Sequence, residues 1–336
     1  MKAIVIREIG GPEKLVLEDV PTPEPSRGEV VIQLQYAAMN RRDVFVRKGQ
    51  YPGIKFPATP GADGAGVVYA IGEGVLNVAL GDEVVINPAL NWGDNPRYYT
   101  KDFSIVGVPT NGTHAQYVKV PAENVFPKPQ YLSWKEAAAL PLGGLTAYRA
   151  LFTRGNIQQG ETVLIPGVGG GVATFLVQMA VAAGAKVYVT SGDDQKIEKA
   201  KQLGAVDGVN YRTENWSKQL RAMIGEGVDI SIDTIGGPTF NELVTLAKHG
   251  SRIVTFGATT GPVPNLLMPK VFLKQIDILG TTMGSPEEFQ QMLSFYEKQQ
   301  IRPVIDATFP LEHIAEAHTY MEKGNQFGKI VIEIPK

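Results

Sequence analysis

The spacing of apolar and polar positions indicates a β-rich region at the start of the chain. From residue 1 to about residue 125, short apolar runs are separated by turns rich in Gly and Pro, which is typical of an irregular β domain. The predicted strands of this region are Ala3–Arg7, Glu29–Ala37, Gly66–Ile71, Glu83–Asn87 and Thr113–Val120.

The middle of the chain, residues 126–285, has a different pattern, in which short apolar strands alternate with longer helical segments. This alternation predicts a parallel sheet with helices on both faces. The predicted strands are Val163–Ile165, Val187–Thr190, Asp229–Asp233, Arg252–Phe256 and Ile276–Thr281.

The tail from residue 286 predicts a helix, a strand, a second helix and a final strand, at residues 286–299, 302–309, 311–323 and 328–334. We expect this tail to pack onto the first region. The predicted architecture is therefore α/β. A β-rich domain of residues 1–125 is completed by residues 286–336, and a doubly wound parallel sheet forms a second domain from residues 126–285.

Composition narrows the function. The chain has 336 residues, a net charge of −2 and no basic run, so neither a nucleic-acid partner nor a polybasic membrane patch is expected. No apolar stretch approaches eighteen residues, and the N-terminal pattern reads as a strand rather than a signal peptide. We therefore expect a cytoplasmic protein with no membrane partner. The sequence contains no cysteine, which excludes disulfides and thiolate chemistry.

Residues 161–192 read as a strand, a glycine-rich turn, a helix and a second strand. Gly167 permits a tight turn, Gly170 lets backbone N–H groups approach a pyrophosphate, and Ala173 packs helix on strand. The helix N-terminus adds a positive dipole end. Glycine also serves ordinary turn geometry, but the flanking strand and helix favour a dinucleotide site. The residues predicted to cradle the phosphates are Gly167, Gly170, Gly171 and Val172.

The end of the second strand favours NADPH as the cofactor. NAD-binding units usually carry an acid there, whereas this chain has Ser191 followed by Lys196 one turn into the next helix. A hydroxyl and an ammonium suit a 2′-phosphate. Asp193 and Asp194 oppose this interpretation unless they cap the helix, and Lys196 can equally belong to a solvated helix face.

Several segments in order carry a family resemblance: PTPEPSRGEVVIQL, TPGADGAGVVYAIGEGV, GDEVV, LPLGGLTAYRAL, GVGGGVA, LGAVDGVNYR and FGKIVIEI. Over nearly the whole chain they resemble the medium-chain dehydrogenase/reductase superfamily, and within it the zinc-independent quinone oxidoreductase branch. The resemblance implies a GroES-like catalytic domain and a Rossmann cofactor domain. It also implies a homodimer or homotetramer built through the cofactor domain.

The resemblance also shows where metal ligands are missing. Zinc-dependent members place a Cys, a His and a second Cys or acid around the catalytic zinc, and the matching positions here are Asn40, Ala62 and Leu142. None of these residues can hold Zn²⁺ as that site requires. The remaining nitrogen ligands show no ligand spacing; they are His114, His249, His313 and His318. We therefore predict no metal site.

The zinc-dependent members also carry a lobe in which four closely spaced cysteines bind a structural zinc. The corresponding segment here, residues 87–111, contains no cysteine, although it keeps the length of a lobe. Two interpretations stay open. The lobe is held by aromatic packing, or it is a mobile surface loop. The aromatic residues available are Trp92, Tyr98, Tyr99 and Phe103.

Without a metal, the coherent reaction is reduction of a quinone or an α,β-unsaturated carbonyl by NADPH. Removing a proton from an alcohol is difficult without a Lewis acid, whereas a conjugated acceptor needs only hydrogen-bond donors at its developing oxyanion. The resemblance places Asn40 near the nicotinamide and makes Tyr51 a substrate-facing phenol; a strand-ending turn and a pocket wall are the structural alternatives.

Further cofactor residues follow from strand ends and from the resemblance. The resemblance gives Thr146 and Tyr211. Lys329 is expected to approach the cofactor from the returning tail. Ends of parallel strands supply the remainder: Thr234, Gly236, Gly257 and Ala258.

Two other functions stay open. The first is a 2-enoyl-thioester reductase acting on CoA or carrier-protein substrates, which a basic patch from Arg41, Arg42, Arg47 and Lys48 would favour. The second is a non-catalytic nucleotide-binding protein, against which the intact glycine loop argues.

Overall fold

A computed structural model describes all of residues 1–336, and the chain forms two compact units. Unit 1 combines Met1–Leu145 with Gly284–Lys336, and unit 2 is Thr146–Met283. The C-terminal tail therefore lies with the N-terminal region.

The strands in chain order are β1 (Lys2–Val5), β2 (Val16–Asp19), β3 (Glu29–Ala38), β4 (Asp63–Ile71), β5 (Glu83–Ile86), β6 (Ala89–Leu90), β7 (Ser104–Ile105), β8 (Tyr117–Pro121), β9 (Val125–Pro127), β10 (Thr162–Ile165), β11 (Lys186–Ser191), β12 (Asp207–Asn210), β13 (Val228–Asp233), β14 (Ala247–Thr255), β15 (Asp277–Gly280), β16 (Ile305–Pro310) and β17 (Lys329–Glu333).

The helices are α1 (Arg41–Arg47), α2 (Trp134–Ala139), α3 (Pro141–Tyr148), α4 (Gly171–Ala182), α5 (Asp194–Gln202), α6 (Trp216–Ile224), α7 (Thr239–Leu246), α8 (Met268–Lys274), α9 (Pro286–Gln299) and α10 (Ile314–Lys323). A π-helical turn (Arg149–Arg154) continues α3, and short 3₁₀ turns lie at Pro12–Lys14, Ala122–Asn124 and Leu311–His313. No helix combines the length and the apolar character that crossing a bilayer requires.

Unit 1 is organised around one sheet with strand order β16-β17-β3-β4-β5-β9, to which β8 adds by pairing with β3. Its core contains apolar side chains from β3, β5, β8 and β17 packed against those of α10. The register matters for function, because Ala38 on β3 lies opposite both Val331 on β17 and Asp63 on β4. Residues just beyond this point on three neighbouring strands therefore meet at one end of the sheet.

Unit 2 contains a sheet whose strands are all parallel, in the order β12-β11-β10-β13-β14-β15. Counted within the unit, this order is 3-2-1-4-5-6, which defines the Rossmann fold. The predicted doubly wound sheet is confirmed. Such sheets bind ligands outside the carboxyl ends of their strands, where the strand order reverses.

The division between the units falls later than the predicted boundary at residue 125, because residues 126–145 lie with unit 1. The physical reason is pairing and packing. β9 pairs with β5 at the edge of the unit 1 sheet, and α2 packs on β3 and β4. A Ser133 capping box starts α2, which identifies the helix but not the sheet it covers.

Residues 87–111 form a lobe that contains an aromatic cluster, as the first of the two interpretations expects. Trp92 is buried, and its ring meets Tyr99 edge-on at 5.8 Å and Phe103 at 5.7 Å between centroids. Tyr99 and Phe103 also stack at 4.3 Å, and β6 pairs with β7 across the lobe. Of the four predicted aromatics, Tyr98 differs, because it is 61% exposed and lies outside this cluster.

Candidate cofactor and active sites

The glycine loop after β10 forms an open cradle in front of α4. Gly167 has a φ of +70°, a conformation that L-residues rarely adopt, and its N–H donates to Thr190 Oγ1 at 3.2 Å. Gly170 precedes the first residue of α4, and a Cβ added there would meet no atom within 4 Å. Gly171 and Val172 in the first turn are partly exposed, although most of α4 is buried. The first N–H groups of α4 therefore face accessible space that suits a pyrophosphate.

The ends of β13 and β14 lie side by side. Asp233 fixes them, because its Oδ1 accepts the Gly236 N–H at 2.9 Å and its Oδ2 accepts the Thr255 hydroxyl at 3.0 Å. A Cβ added at Gly257 would collide with the carbonyl oxygen of Thr234. Glycine is thus required here by a close approach of two backbone segments. Ala258, the next residue, lies in the same loop. A Cβ added at Gly236 would meet the Cα of Ala258.

The ends of β11 and β12 bring together the residues predicted to select the cofactor. The Tyr211 N–H donates to the Ser191 carbonyl at 2.9 Å, which joins the two strand ends. A Cβ added at Gly192 would lie 2.8 Å from both Tyr211 Oη and Arg212 Nε. Lys196 is in the first turn of α5, directly after this loop. The sequence interpretation missed Arg212, although its position one residue after Tyr211 was a usable signal.

The two acids beside this site already bind neighbouring groups. Asp193 Oδ1 accepts the Gln195 N–H at 2.9 Å and caps α5, as the sequence suggested. Asp194 Oδ1 accepts a hydrogen bond from Asn210 Nδ2 at 2.9 Å. Both carboxylates therefore have hydrogen-bond partners within the protein. Capping and loop contacts account for these two acids without a role in binding the ribose.

The remaining predicted cofactor residues lie elsewhere. Thr146 is on α3, is 5% exposed, and directs its hydroxyl to Met283 Sδ at 3.9 Å. Lys329 is in unit 1, at the start of β17. The other predicted cofactor residues therefore lie at or just after the carboxyl ends of the unit 2 strands. Thr146 and Lys329 do not lie there.

A buried polar cluster lies at the end of the unit 1 sheet. Lys329 Nζ donates to Asp63 Oδ2 at 2.8 Å and to Asn40 Oδ1 at 2.9 Å, and Asn40 Nδ2 donates to Asp63 Oδ2 at 2.8 Å. Asp63 is fully buried, Lys329 is 3% exposed and Asn40 is 8% exposed. The sequence interpretation named Asn40 and Lys329 but not Asp63, whose role follows from the register of β3, β4 and β17.

Local structure explains how these side chains are held. Asn40 is the N-cap residue of α1, and its N–H donates to Asp43 Oδ2 at 2.8 Å. Asp63 begins β4, and its Oδ1 accepts the Leu142 N–H at 2.7 Å. Asn40 and Leu142, two positions that the family resemblance matches to zinc ligands, therefore both hydrogen-bond to the Asp63 carboxylate.

Zinc does not fit this cluster. Asn40, Ala62 and Leu142 offer neither a thiolate nor an imidazole, and the ammonium of Lys329 already supplies a cation to Asp63. No three His, Cys, Asp or Glu side chains come together in a set suited to a metal ion.

Tyr51 is half-buried and lies against Arg42, whose guanidinium carbon is 4.7 Å from the centre of the phenol ring. Arg42 Nη1 also donates to the Val106 carbonyl at 2.8 Å, so this arginine joins α1 to the segment after β7. The structure therefore holds Tyr51 through a cation–π contact. Tyr51 forms no hydrogen bond with Asn40, Asp63 or Lys329.

The basic residues at α1 form only part of the expected surface patch. Arg42 and Arg47 are 8% and 0% exposed, whereas Arg41 is partly exposed and Lys48 is exposed. Arg47 pairs with Glu322 at 2.9 Å, and Lys48 pairs with the same carboxylate. Burial of two of the four residues weakens the observation that would favour a CoA or carrier-protein partner.

Comparison with known proteins agrees with both units. Residues 26–130 match the family model of the alcohol dehydrogenase GroES-like domain, and residues 171–298 match that of the zinc-binding dehydrogenase. Zinc-type alcohol dehydrogenase-like protein YogA of Leptosphaeria maculans is 38% identical over 95% of this chain and 94% of its own. Quinone oxidoreductase of Mus musculus is 31% identical over 99% of this chain and 97% of its own.

Solved structures show the same fold. A crystal structure of an NAD-dependent alcohol dehydrogenase superposes with a TM-score of 0.95 at 40% identity, covering 100% of both chains. A crotonyl-CoA carboxylase/reductase gives a TM-score of 0.90 at 27% identity, covering 99% of this chain and 88% of its own.

A GroES-like unit followed along the chain by a Rossmann unit defines the medium-chain dehydrogenase/reductase superfamily, and the chain belongs to it. Within the superfamily it fits the zinc-independent branch, because it aligns with quinone oxidoreductases over nearly its full length and lacks the zinc ligands. It is an oxidoreductase with a fold that binds a nicotinamide dinucleotide.

Proposed function

We propose that the protein is an NADPH-dependent, zinc-independent reductase of quinones or α,β-unsaturated carbonyls. The observation that carries this proposal is the buried Asn40–Asp63–Lys329 cluster, in which Asn40 stands at a position that the family resemblance matches to a zinc ligand. An amide next to a buried ammonium can donate hydrogen bonds to a developing oxyanion, but it does not provide the Lewis acid that alcohol activation needs.

Each unit has a defined part in this reaction. In unit 2, the first turn of α4 would hold the pyrophosphate, while the ends of β11 and β12 would hold the adenosine ribose. In unit 1, Asn40 would donate to the acceptor oxygen, and Tyr51 would contact the substrate. The bound cofactor would supply a hydride to the β-carbon or quinone ring.

The choice between NADPH and NADH rests on the ends of β11 and β12. Ser191, Lys196 and Arg212 provide a hydroxyl and two cations there, whereas Asp193 and Asp194 are held in the loop. These groups support NADPH. The 40%-identical neighbour described as NAD-dependent supports NADH as the alternative, so binding of both cofactors has to be measured.

A 2-enoyl-thioester reductase is the second candidate. The likeness to a crotonyl-CoA carboxylase/reductase supports it, and the hydride step would be the same. Burial of Arg42 and Arg47 argues against it, because only Arg41 and Lys48 of the expected basic patch reach the surface and Lys48 is paired with Glu322. The non-catalytic nucleotide-binding protein is the third candidate.

The test is a screen of NADPH and NADH oxidation with quinones, conjugated enals and enones, 2-enoyl-CoAs and simple aldehydes. We expect turnover with quinones or enones and little with simple aldehydes. Preference for an enoyl-CoA by kcat/KM would favour the second candidate. Cofactor binding without oxidation by any acceptor would favour the non-catalytic one.

Metal content gives an independent check. Purified protein should contain no stoichiometric zinc, and a chelator should leave turnover unchanged, because the donor set does not suit the metal. One equivalent of zinc per chain by elemental analysis would contradict the proposal.

The donor role of Asn40 is tested with a matched buried asparagine. Asn40→Ala should lower turnover by about 10²-fold, the loss typical of a missing oxyanion donor. It should also lower stability, because Lys329 loses an acceptor. Asn124→Ala removes two buried hydrogen bonds to the Asn87 and Ala89 carbonyls and should lower only stability. Equal turnover in the two variants would assign Asn40 a structural role.

The assembly and location of the enzyme are also part of the proposal. We infer a homodimer or homotetramer formed through unit 2, because edge strand β15 and neighbouring α8 expose apolar side chains. A cytoplasmic location, with no nucleic-acid or membrane partner, remains a prediction from charge and hydropathy.

A further inference from the structure

The polar cluster of unit 1 leaves few hydrogen-bonding positions open. The Asp63 carboxylate accepts from Leu142, Asn40 and Lys329, so both of its oxygens are occupied. The ammonium of Lys329 has three N–H groups, and two of them bind Asp63 and Asn40. Such a complete set of bonds compensates for the burial of both charges.

These bonds fix the orientation of the Asn40 amide. Its Oδ1 faces the ammonium and its Nδ2 faces the carboxylate. The flipped amide would direct its NH₂ group at a cation and its oxygen at an anion, which is unfavourable at both ends. Asn40 is also the most exposed member of the cluster, at 8% against 3% for Lys329 and 0% for Asp63. The cluster leaves open the second N–H of Asn40 Nδ2 and the third N–H of Lys329, and Asn40 is the more exposed of these two residues.

We propose that Lys329 and Asp63 are positioning residues for the Asn40 donor, and that Lys329 is not a cofactor ligand. This inference rests on the proposed function. The ammonium binds Oδ1 and the carboxylate binds one N–H of Nδ2, so the amide plane is fixed at both ends and the second N–H keeps one direction. The two charged residues thus act on the reacting oxygen by orienting the intervening amide.

The test removes both charges together. A single substitution would leave one buried charge uncompensated and would endanger folding, so the variant is Lys329→Met/Asp63→Asn. It should lower kcat by about 10²-fold, as loss of one oriented oxyanion donor does. KM for the acceptor and Kd for NADPH should stay within about twofold, since neither positioning residue binds the cofactor.

A matched control separates positioning from stability. Lys128 is a second buried lysine of unit 1, paired with Glu83 at 3.2 Å. Lys128→Met/Glu83→Gln should lower the melting temperature but leave kcat unchanged. Lys329→Arg keeps the cation beside Asp63 and should recover much of the turnover lost in the neutral variant.

Each outcome decides the inference. Unchanged kcat in the neutral variant, or a selective loss of NADPH binding, would overturn it, the latter by making Lys329 a cofactor ligand. If the unaltered protein reduces no acceptor, the proposed function has failed, and the Asn40 side-chain amide signals in ¹H–¹⁵N NMR then test positioning alone. Signals that shift in the neutral variant, and not in the Lys128/Glu83 control, would support positioning; unmoved signals would overturn it.

Discussion

At the residue scale, His114 and His318 are enclosed in unit 1, and their rings are 6.5 Å apart between centroids. Burial lowers the pKa of His114, an effect that the Asp43 and Asp63 carboxylates partly oppose. Burial lowers the pKa of His318 well below its ordinary value, and His114 and Arg47 lower it further. Both rings are therefore neutral in the folded protein at neutral pH.

This burial predicts acid sensitivity. Unfolded histidines take up a proton near pH 6.5, whereas the folded ones do so only at lower pH. The stability that depends on neutral rings is thus fully present above about pH 6.5 and is lost as the pH falls below it. Below this pH the free energy of unfolding falls by up to about 1.4 kcal/mol per pH unit for each ring. Urea unfolding of the unaltered protein at pH 7.5 and pH 5 should show this loss.

Two variants check the source of the slope. His114→Gln/His318→Gln should be less stable at pH 7.5 but should lose less on acidification. His313→Gln removes an exposed histidine whose pKa is raised by Glu316, so this variant should not lose less stability on acidification than the unaltered protein. An unchanged slope in the buried double variant would assign the acid sensitivity to other groups.

The cofactor subsite gives a second prediction at this scale. Lys196→Gln and Arg212→Gln should each weaken NADPH binding about tenfold or more, because a charge-assisted hydrogen bond is worth about 1.5–3 kcal/mol. NADH lacks the 2′-phosphate, so its Kd should change little. Titration of both cofactors measures this directly. Lys201→Gln is the control, since Lys201 is on the same helix but pairs with Glu198. Equal affinity of the unaltered protein for both cofactors would contradict the NADPH assignment.

Residues that belong to a local sequence pattern were predictable, whereas the residues that contact them from distant strands were not. Gly167 and Gly170 were predictable because strand, turn and helix follow one another in the chain. Asp63 and Arg212 were not, because their contacts depend on how separate strands pair. The sequence around one residue does not say which residue of a distant strand will lie opposite it, because that depends on how the two strands pair.

At the scale of elements, the lobe of residues 87–111 makes a testable case. Trp92→Ala should cost about 3–5 kcal/mol, because it removes the ring at the centre of the aromatic cluster. Hydrogen exchange should rise in the lobe and stay unchanged in unit 2. Tyr98→Ala should alter stability by no more than about 0.5 kcal/mol, since that ring is exposed. Equal effects of the two substitutions would show that aromatic packing does not hold the lobe.

Elements with strong local signals were predictable. α9 matches its predicted range, residues 286–299, because Ser285 and Glu288 form a capping box and Pro286 occupies the first turn. β12 (Asp207–Asn210) was missed, because its sequence DGVN lacks the β-branched alternation of a strand. Parallel pairing with β11 forms it instead.

At the scale of the whole molecule, the edge of the unit 2 sheet predicts self-association. β15 is the last strand of the sheet, and Phe272 and Leu273 on the adjacent α8 are exposed. An uncovered strand edge beside an apolar surface favours pairing with a second copy. Sedimentation velocity should show a dimer or tetramer that Phe272→Lys/Leu273→Lys dissociates. Leu76→Lys changes an exposed residue of unit 1 and should leave assembly intact. A monomeric unaltered protein would contradict the prediction.

The interrupted course of unit 1 has a consequence for biosynthesis. Domains fold as units while the chain leaves the ribosome, and unit 2 is a continuous stretch that is complete before β17 is translated. Until then the end of β3 beside Asn40 lacks a neighbour, and Asp63 lacks its cation. The unit whose synthesis begins first is therefore the last to become native. A nascent chain stalled before Lys329 exposes a strand edge of the kind that templates aggregation.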